Sequence, residues 1–128
     1  MSYHISKIVD YSFEDAIRRA TEALKDEGFG VLTEIDVKAT LKKKLDADFR
    51  DYMILGACNP KFAHEALKNE DKIGTMLPCN VIVQVNPAGK VEVSAVDPMA
   101  SMASVQNEAL SGIAMQVREK LRRVIDNI

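Results

Sequence analysis

The sequence predicts an α+β two-layer sandwich, a mixed or mostly antiparallel sheet of about five strands with helices packed on one face. Three observations carry this prediction. Strand and helix periodicities follow one another in the order β-α-β-α-β-α-β-β-α. The run Tyr52–Cys58 is apolar on both sides, as a strand covered by helices on at least one face must be. A turn at Asn86-Pro87-Ala88-Gly89-Lys90 joins two period-two runs into a hairpin, which a purely parallel sheet does not contain. The 128 residues, 47% hydrophobic and 28% charged, fit one domain spanning 1–128 whose core needs neither disulfide nor metal to fold.

Each element has a local reason. Tyr3, Ile5, Lys7 and Val9 alternate with His4, Ser6 and Ile8, the pattern of a first strand. Ser12 then offers a hydroxyl N-cap to Phe13-Glu14-Asp15, whose acids suit the first helical turn. Phe13, Ala16, Ile17, Ala20 and Leu24 share one face, and Gly28 supplies the left-handed stop of a helix over 13–27. Phe29, Val31, Thr33, Ile35 and Val37 fall on one side of a second strand. Val37, Leu41 and Leu45 then space out a short helix, and its Lys42-Lys43-Lys44 run reads as a solvated face near a helix C-terminus. Asn59-Pro60 starts a third helix, with Asn as the capping residue and Pro preorganised for the first helical position. Cys79, Val81, Val83 and Val85 form the first arm of the hairpin, and Val91, Val93 and Ala95 the second. After Asp97-Pro98 and a connector rich in Met and Ser, the stripe Leu110, Ile113, Ala114, Val117, Leu121, Val124 and Ile125 marks a long C-terminal helix. Arg118, Lys120, Arg122 and Arg123 near its end suit solvation and the helix dipole.

The net charge of -2 gives no electrostatic reason to expect nucleic acid or an anionic membrane as partner. The N-terminal Met1-Ser2-Tyr3-His4 shows no basic segment or apolar core of a signal peptide, and no apolar run reaches the roughly 20 residues of a membrane helix. A cytoplasmic location is expected, where both cysteines stay reduced unless they act in catalysis or redox sensing.

Cys58 and Cys79 are the candidate chemical groups. Cys58 closes the central strand just before a helix N-terminus, where the dipole favours a thiolate, so it is the candidate nucleophile or soft-metal ligand. If Val85 pairs with Val91, Cys79 falls opposite Asp97, and a neighbouring carboxylate raises a thiol pKa. If the strand ending at Cys58 adjoins the hairpin, both sulfurs face one pocket, with Asn59 and Asp97 at its rim. The two-cysteine spacing matches neither a CxxC redox pair nor a zinc knuckle. His64 lies about two turns into the helix after Cys58 and reads as an exposed residue. His4 has no recognisable partner. Met99 and Met102 could join two thiolates around Cu(I), or fill gaps in a core. Phosphate-cradling, nucleophile-elbow and HExxH motifs are absent.

Gly56-Ala57-Cys58-Asn59-Pro60, Gly74-Thr75-Met76-Leu77-Pro78-Cys79-Asn80-Val81 and Val96-Asp97-Pro98-Met99, in this order, resemble the domain-of-unknown-function family numbered 302 over nearly the whole chain. The resemblance implies a bacterial or archaeal α+β domain that self-associates as a homodimer or small oligomer, with no established activity and no known cofactor. Three functions follow as expectations. The first is a module binding a small molecule or soft metal ion through Cys58, Asn59, Cys79 and Asp97. The second is a thiol-dependent enzyme or sulfur carrier with Cys58 as nucleophile. The third is a structural or regulatory homo-oligomer whose cysteines only pack.

Overall fold

The computed structural model describes residues 2–128, so Met1, the start of the N-terminal stretch read above, lies outside the described residues. Five strands form one sheet: β1 (His4–Val9), β2 (Gly30–Asp36), β3 (Tyr52–Cys58), β4 (Cys79–Val85) and β5 (Val91–Val96), in the spatial order β1-β5-β4-β3-β2. Every neighbouring pair is antiparallel. The helices are α1 (Phe13–Asp26), α2 (Val37–Leu45), α3 (Pro60–Asn69), α4 (Pro98–Ser101) and α5 (Glu108–Asp126), with a 3-10 turn at Ile73–Met76. The architecture is the predicted α+β sandwich. The 3-10 turn and α4 are additions to the predicted order, and both are too short to show a periodicity in sequence.

Local chemistry sets the boundaries. The Ser12 hydroxyl accepts from the Asp15 N–H at 3.1 Å, and the chain leaves α1 through Glu27 and then Gly28 at φ 85°. A helix stop at positive φ favours glycine because it carries no Cβ. Asp36 caps α2, its Oδ1 accepting from the Ala39 N–H at 2.9 Å. At the hairpin, Val85 pairs with Val91 as the turn sequence predicts, and Asn86 Oδ1 accepts from the Ala88 and Lys90 N–H groups, each at 3.0 Å.

Alternation assigns one sheet face to the helices. Leu55, Ala57, Val81, Val83, Val93 and Ala95 are buried there beneath Ala16, Ala20 and Leu24 of α1 and Leu121, Val124 and Ile125 of α5. The alanines of α1 let its backbone approach the sheet, while each fully buried leucine contributes about 1.5–3 kcal/mol. Lys7 also points to this side. Its Nζ passes the end of α5 and donates to the carbonyls of Asp126 at 3.2 Å and Ile128 at 2.9 Å, a cation at a helix C-terminus. A second, smaller cluster gathers Ala66 of α3, Ile73 of the 3-10 turn and Leu110 of α5.

β2 departs from the sequence reading. Its register against β3 shifts between Val31 and Thr33, so the side chains from Phe29 to Val37 do not keep one face. Val31 pairs with Ala57 and packs on the core, while Ile35 pairs with Ile54 and is exposed. The bulge adds one residue, which reverses the alternation beyond it and leaves Leu32 largely in solvent, 68% exposed.

Gly56 fixes a close contact in β3. A Cβ at this position would run into the Thr33 hydroxyl and lie 2.9 Å from Pro78 Cγ. Gly56→Ala is expected to destabilise the fold by about 1–3 kcal/mol through overpacking, with partial recovery in the Gly56→Ala/Thr33→Ala pair. Urea unfolding of the three proteins checks this, and an unchanged midpoint in the single variant would contradict it.

Candidate functional site

The ends of β3 and β4 meet where both cysteine motifs converge. Ala57 stands opposite Cys79 in the ladder, so the next residue, Cys58, falls beside Cys79 at the edge of the same cavity. That cavity holds about 370 Å³ and is roofed by α3 and the N-terminal half of α5. Its wall is almost wholly apolar: Phe29, Phe62, Leu77, Pro78, Ile113 and Val117 supply much of it. The polar groups on it are the Asn59 amide, the Thr33 hydroxyl and the two thiols, and no charged side chain lines it. Leu32, thrown outward by the bulge, and Leu67 of α3, 44% exposed, also line it. Large apolar side chains therefore stand in water at the mouth.

The predicted site residues divide. Cys58, Asn59 and Cys79 all line the cavity. Both cysteines are free and partly buried. Asn59 sits at the N-cap position of α3, but its side chain makes no capping hydrogen bond. Instead its Nδ2 donates to the Glu27 carbonyl at 3.3 Å, which ties the start of α3 to the end of α1. Pro60 at the first helical position needs no N–H partner, so α3 starts without a side-chain cap.

Asp97 is turned elsewhere. The β4–β5 register runs Val81 to Ala95 and continues toward Cys79 and Asp97, yet β5 stops at Val96 and Asp97 becomes the N-cap of α4. Its Oδ1 accepts from the Met99 N–H at 3.0 Å, and its Oδ2 pairs with Arg118 Nε of α5 at 3.0 Å. The carboxylate is 6% exposed and does not line the cavity, although its neighbour Pro98 does. Asp97 thus anchors α4, which brings Pro98 and Met102 to the wall. Two further members of the basic cluster of α5 are paired: Arg123 and Lys120 lie 3.0 and 3.9 Å from Glu27.

Burial first, and the neighbouring Cys58 second, push the Cys79 thiol up from 9.0 to about 11. At neutral pH this thiol is therefore protonated and behaves as a small apolar group with a weak donor. The sequence anticipated a raised value from Asp97, whereas desolvation is the larger cause, because Arg118 holds that carboxylate away.

The other candidates stand apart. His64 is exposed on α3, and His4 lies on the opposite sheet face, its Nδ1 2.6 Å from Ser6 Oγ. Of the two methionines near Asp97, only Met102 reaches the cavity. Among the described residues no group of three His, Cys, Asp or Glu side chains is arranged to hold a metal ion, and no helix is long and apolar enough to cross a membrane. Sequence reasoning missed Leu32 and Leu67 as mouth residues. Leu67 follows Ala63 by four residues on α3, a spacing that by itself marks a core-facing position, and Leu32 carried no signal because the bulge has no marker such as glycine.

Comparison with known proteins agrees with the motif segments. The model of the family described as domain of unknown function DUF302 matches residues 5–128. The crystal structure of an uncharacterized conserved DUF302 protein from Bacillus stearothermophilus superposes with a TM-score of 0.92 at 30% identity, covering 99% of this chain and 98% of that one. No curated protein matches the chain.

The Cys79 shift sets a pH window. A thiol whose folded pKa lies above its unfolded value stabilises the fold below the unfolded pKa, and that contribution is lost as pH rises from about 9 toward 11. The expected loss is about 2–3 kcal/mol. The stability difference between wild type and Cys79→Ala, read from urea melts at rising pH, should shrink by that amount across the window. A difference that stays constant would refute the assignment.

Proposed function

We propose that this chain, which belongs to the DUF302 family of domains of unknown function, binds a small apolar molecule in the cavity shared by Cys58, Asn59 and Cys79. The observation that carries the reading is the cavity itself, about 370 Å³ with an apolar wall and no charged lining residue. Its volume lies in the range of small-ligand sites, roughly 300–1,000 Å³. Such a wall desolvates a ligand without offering a counter-charge, so a charged molecule would lose hydration with no compensation. A neutral molecule with one hydrogen-bonding group suits it, with the Asn59 amide and the thiols as the polar contacts that orient it. Asp97 supports the site indirectly by holding α4, and with it Pro98 and Met102, against α5.

A soft metal ion is the second reading, favoured by the one observation that Met102 shares the wall with both cysteines. It requires deprotonating Cys79, which burial opposes. The nucleophile reading of Cys58 has less support, since neither imidazole nor carboxylate lines the cavity to act as its base.

A neutral fluorescent probe, N-phenyl-1-naphthylamine, tests the proposal. It should bind the wild type saturably with a blue-shifted emission. Ala63→Phe, which fills the cavity from α3, should weaken binding at least about tenfold, while circular dichroism reports an intact fold. Binding that is absent in the wild type, or unchanged in Ala63→Phe, would sink the apolar-ligand reading. Titration with Cu(I) and Zn(II) of the wild type, Cys58→Ser and Cys79→Ser decides the metal reading, which ends if all three proteins bind equally.

A further inference from the structure

The sheet face turned away from the helices carries a second concavity, of about 390 Å³, that shares no lining residue with the cavity of the two cysteines. Its shape follows from the strand register. Ser6, Ser94 and Ile82 stand side by side on β1, β5 and β4 and form the floor. Two residues along the strands, Glu92, Gln84 and Tyr52 make one wall. Two residues the other way, His4 and Asn80 belong to the opposite wall. Four residues at about 3.3 Å each set the walls about 13 Å apart, a span for one substituted ring and its hydrogen-bond partners.

A chain of hydrogen bonds crosses this site. His4 Nδ1 lies 2.6 Å from Ser6 Oγ, which lies 2.7 Å from Ser94 Oγ, and Ser94 is only 9% exposed. Each hydroxyl has a single hydrogen to give, so the two bonds must point the same way along the chain. With Nδ1 accepting, Ser94 donates to Ser6 and Ser6 to His4. The Ser94 oxygen is then left as an acceptor, and the Nε2–H of the exposed imidazole is a donor. With Nδ1 donating, both bonds reverse, Ser94 has its hydrogen free and Nε2 accepts. Each end therefore exchanges donor for acceptor in one concerted change. A ligand hydroxyl, itself donor and acceptor, meets either state, whereas a carbonyl or an ammonium group meets only one.

We infer that this concavity binds a neutral polyhydroxylated ring, the chemistry shared by unphosphorylated sugars and cyclitols. The residues present select against the other classes. Among the described residues no lysine or arginine lines the site, and Glu92 does, so an anion meets like charge. Arg50 is already engaged at the wall, its Nε donating to Gln84 Oε1 at 3.1 Å and its guanidinium lying 5.5 Å from the Tyr52 ring centroid. That placement opposes a cationic ligand and denies a flat base the Tyr52 face as a stacking platform. A wholly apolar ligand would strip water from Asn80, Gln84 and the serine hydroxyls without replacing their bonds. Neighbouring ring hydroxyls replace them. An amide or carboxylate offers two polar atoms side by side, which a pair of adjacent hydroxyls can meet. Ile82 supplies an apolar floor for the ring carbons. The volume falls in the range of small-ligand sites, roughly 300–1,000 Å³.

The inference stands apart from the apolar cavity, so Ala63→Phe should leave polyol binding unchanged. NMR titration of the isotope-labelled protein tests it with D-glucose, D-galactose, D-ribose and myo-inositol, each to about 100 mM, a hundredfold above a millimolar Kd. At least one should shift the amides around Ser6, Ser94 and Gln84 saturably. Binding of sugars alone marks a sugar site, and of myo-inositol alone a cyclitol site. Cyclohexanol, a ring with one hydroxyl, should bind at least about tenfold more weakly than the best polyol. D-glucuronate, an anion, should also bind more weakly. Ser94→Ala, which cuts the chain at its buried end, and Glu92→Gln, which keeps the side-chain shape, should each weaken binding at least about fivefold. Circular dichroism reports the fold of each variant. Saturable binding on this face that a folded variant weakens supports the inference. It is overturned if none of the four polyols binds, or if cyclohexanol or D-glucuronate binds as tightly as the best of them. Binding that Ala63→Phe abolishes, or that both folded variants leave undiminished, overturns it as well.

Discussion

The apolar stripe of α5 (Glu108–Asp126) is the contact on which the rest of the molecule depends. Its C-terminal half, through Leu121, Val124 and Ile125, fills the main core between α1 and the sheet. Its N-terminal half, through Leu110, packs into the smaller cluster under α3 and the 3-10 turn. One helix therefore closes two hydrophobic clusters, and the cavity lies on the seam between them, lined by Ile113, Ala114 and Val117. At that level the helix presents Ala114, while the strands beneath end in Ala57 and two cysteines. Small side chains from both layers meet, and the volume they leave is not taken up by the larger residues around them. The cavity is thus a consequence of where small residues sit along an otherwise continuous stripe.

The polar residues around the seam keep it in place. Asn59 joins the start of α3 to the end of α1 through Glu27, and Glu27 is also held by Arg123 and Lys120 of α5. On the other side, Asp97 joins α4 to α5 through Arg118. Four helices, α1, α3, α4 and α5, are fixed relative to one another by these contacts, and the charged groups among them stay outside the cavity, which leaves the wall free of charge. Residues that look like site chemistry in sequence serve here as the frame of an apolar site.

The parts legible in sequence are those set by local rules. Ser12, Gly28, Pro60 and the Asn86–Lys90 turn mark their boundaries because capping, left-handed backbone and fixed proline φ act within a few residues. The register of the hairpin followed from its turn, and the α5 stripe from its period. What stayed hidden depends on distant partners. The β2 bulge arises from pairing with β3, so the exposure of Ile35 and Leu32 was invisible. Asp97 was placed correctly along the ladder, but its side chain went to Arg118, a residue of another element that register arguments do not reach. The neighbourhood of Cys58 and Cys79 needed β3 beside β4, which the order of elements alone leaves open.

The pairing of β1 with β5 has a consequence in time as well as in space. His4 lies opposite Val96, on the order of 90 residues further along the chain. At about 5–20 residues per second, a ribosome takes several seconds to make that stretch. Until then β1 has no sheet to join, and its alternating side chains and unpaired backbone wait in solution. Lys7, whose contacts are the carbonyls at the end of α5, waits longer still. The earliest-made strand is among the last elements to be fastened, and in a cell it is the segment that chaperones have the longest opportunity to hold.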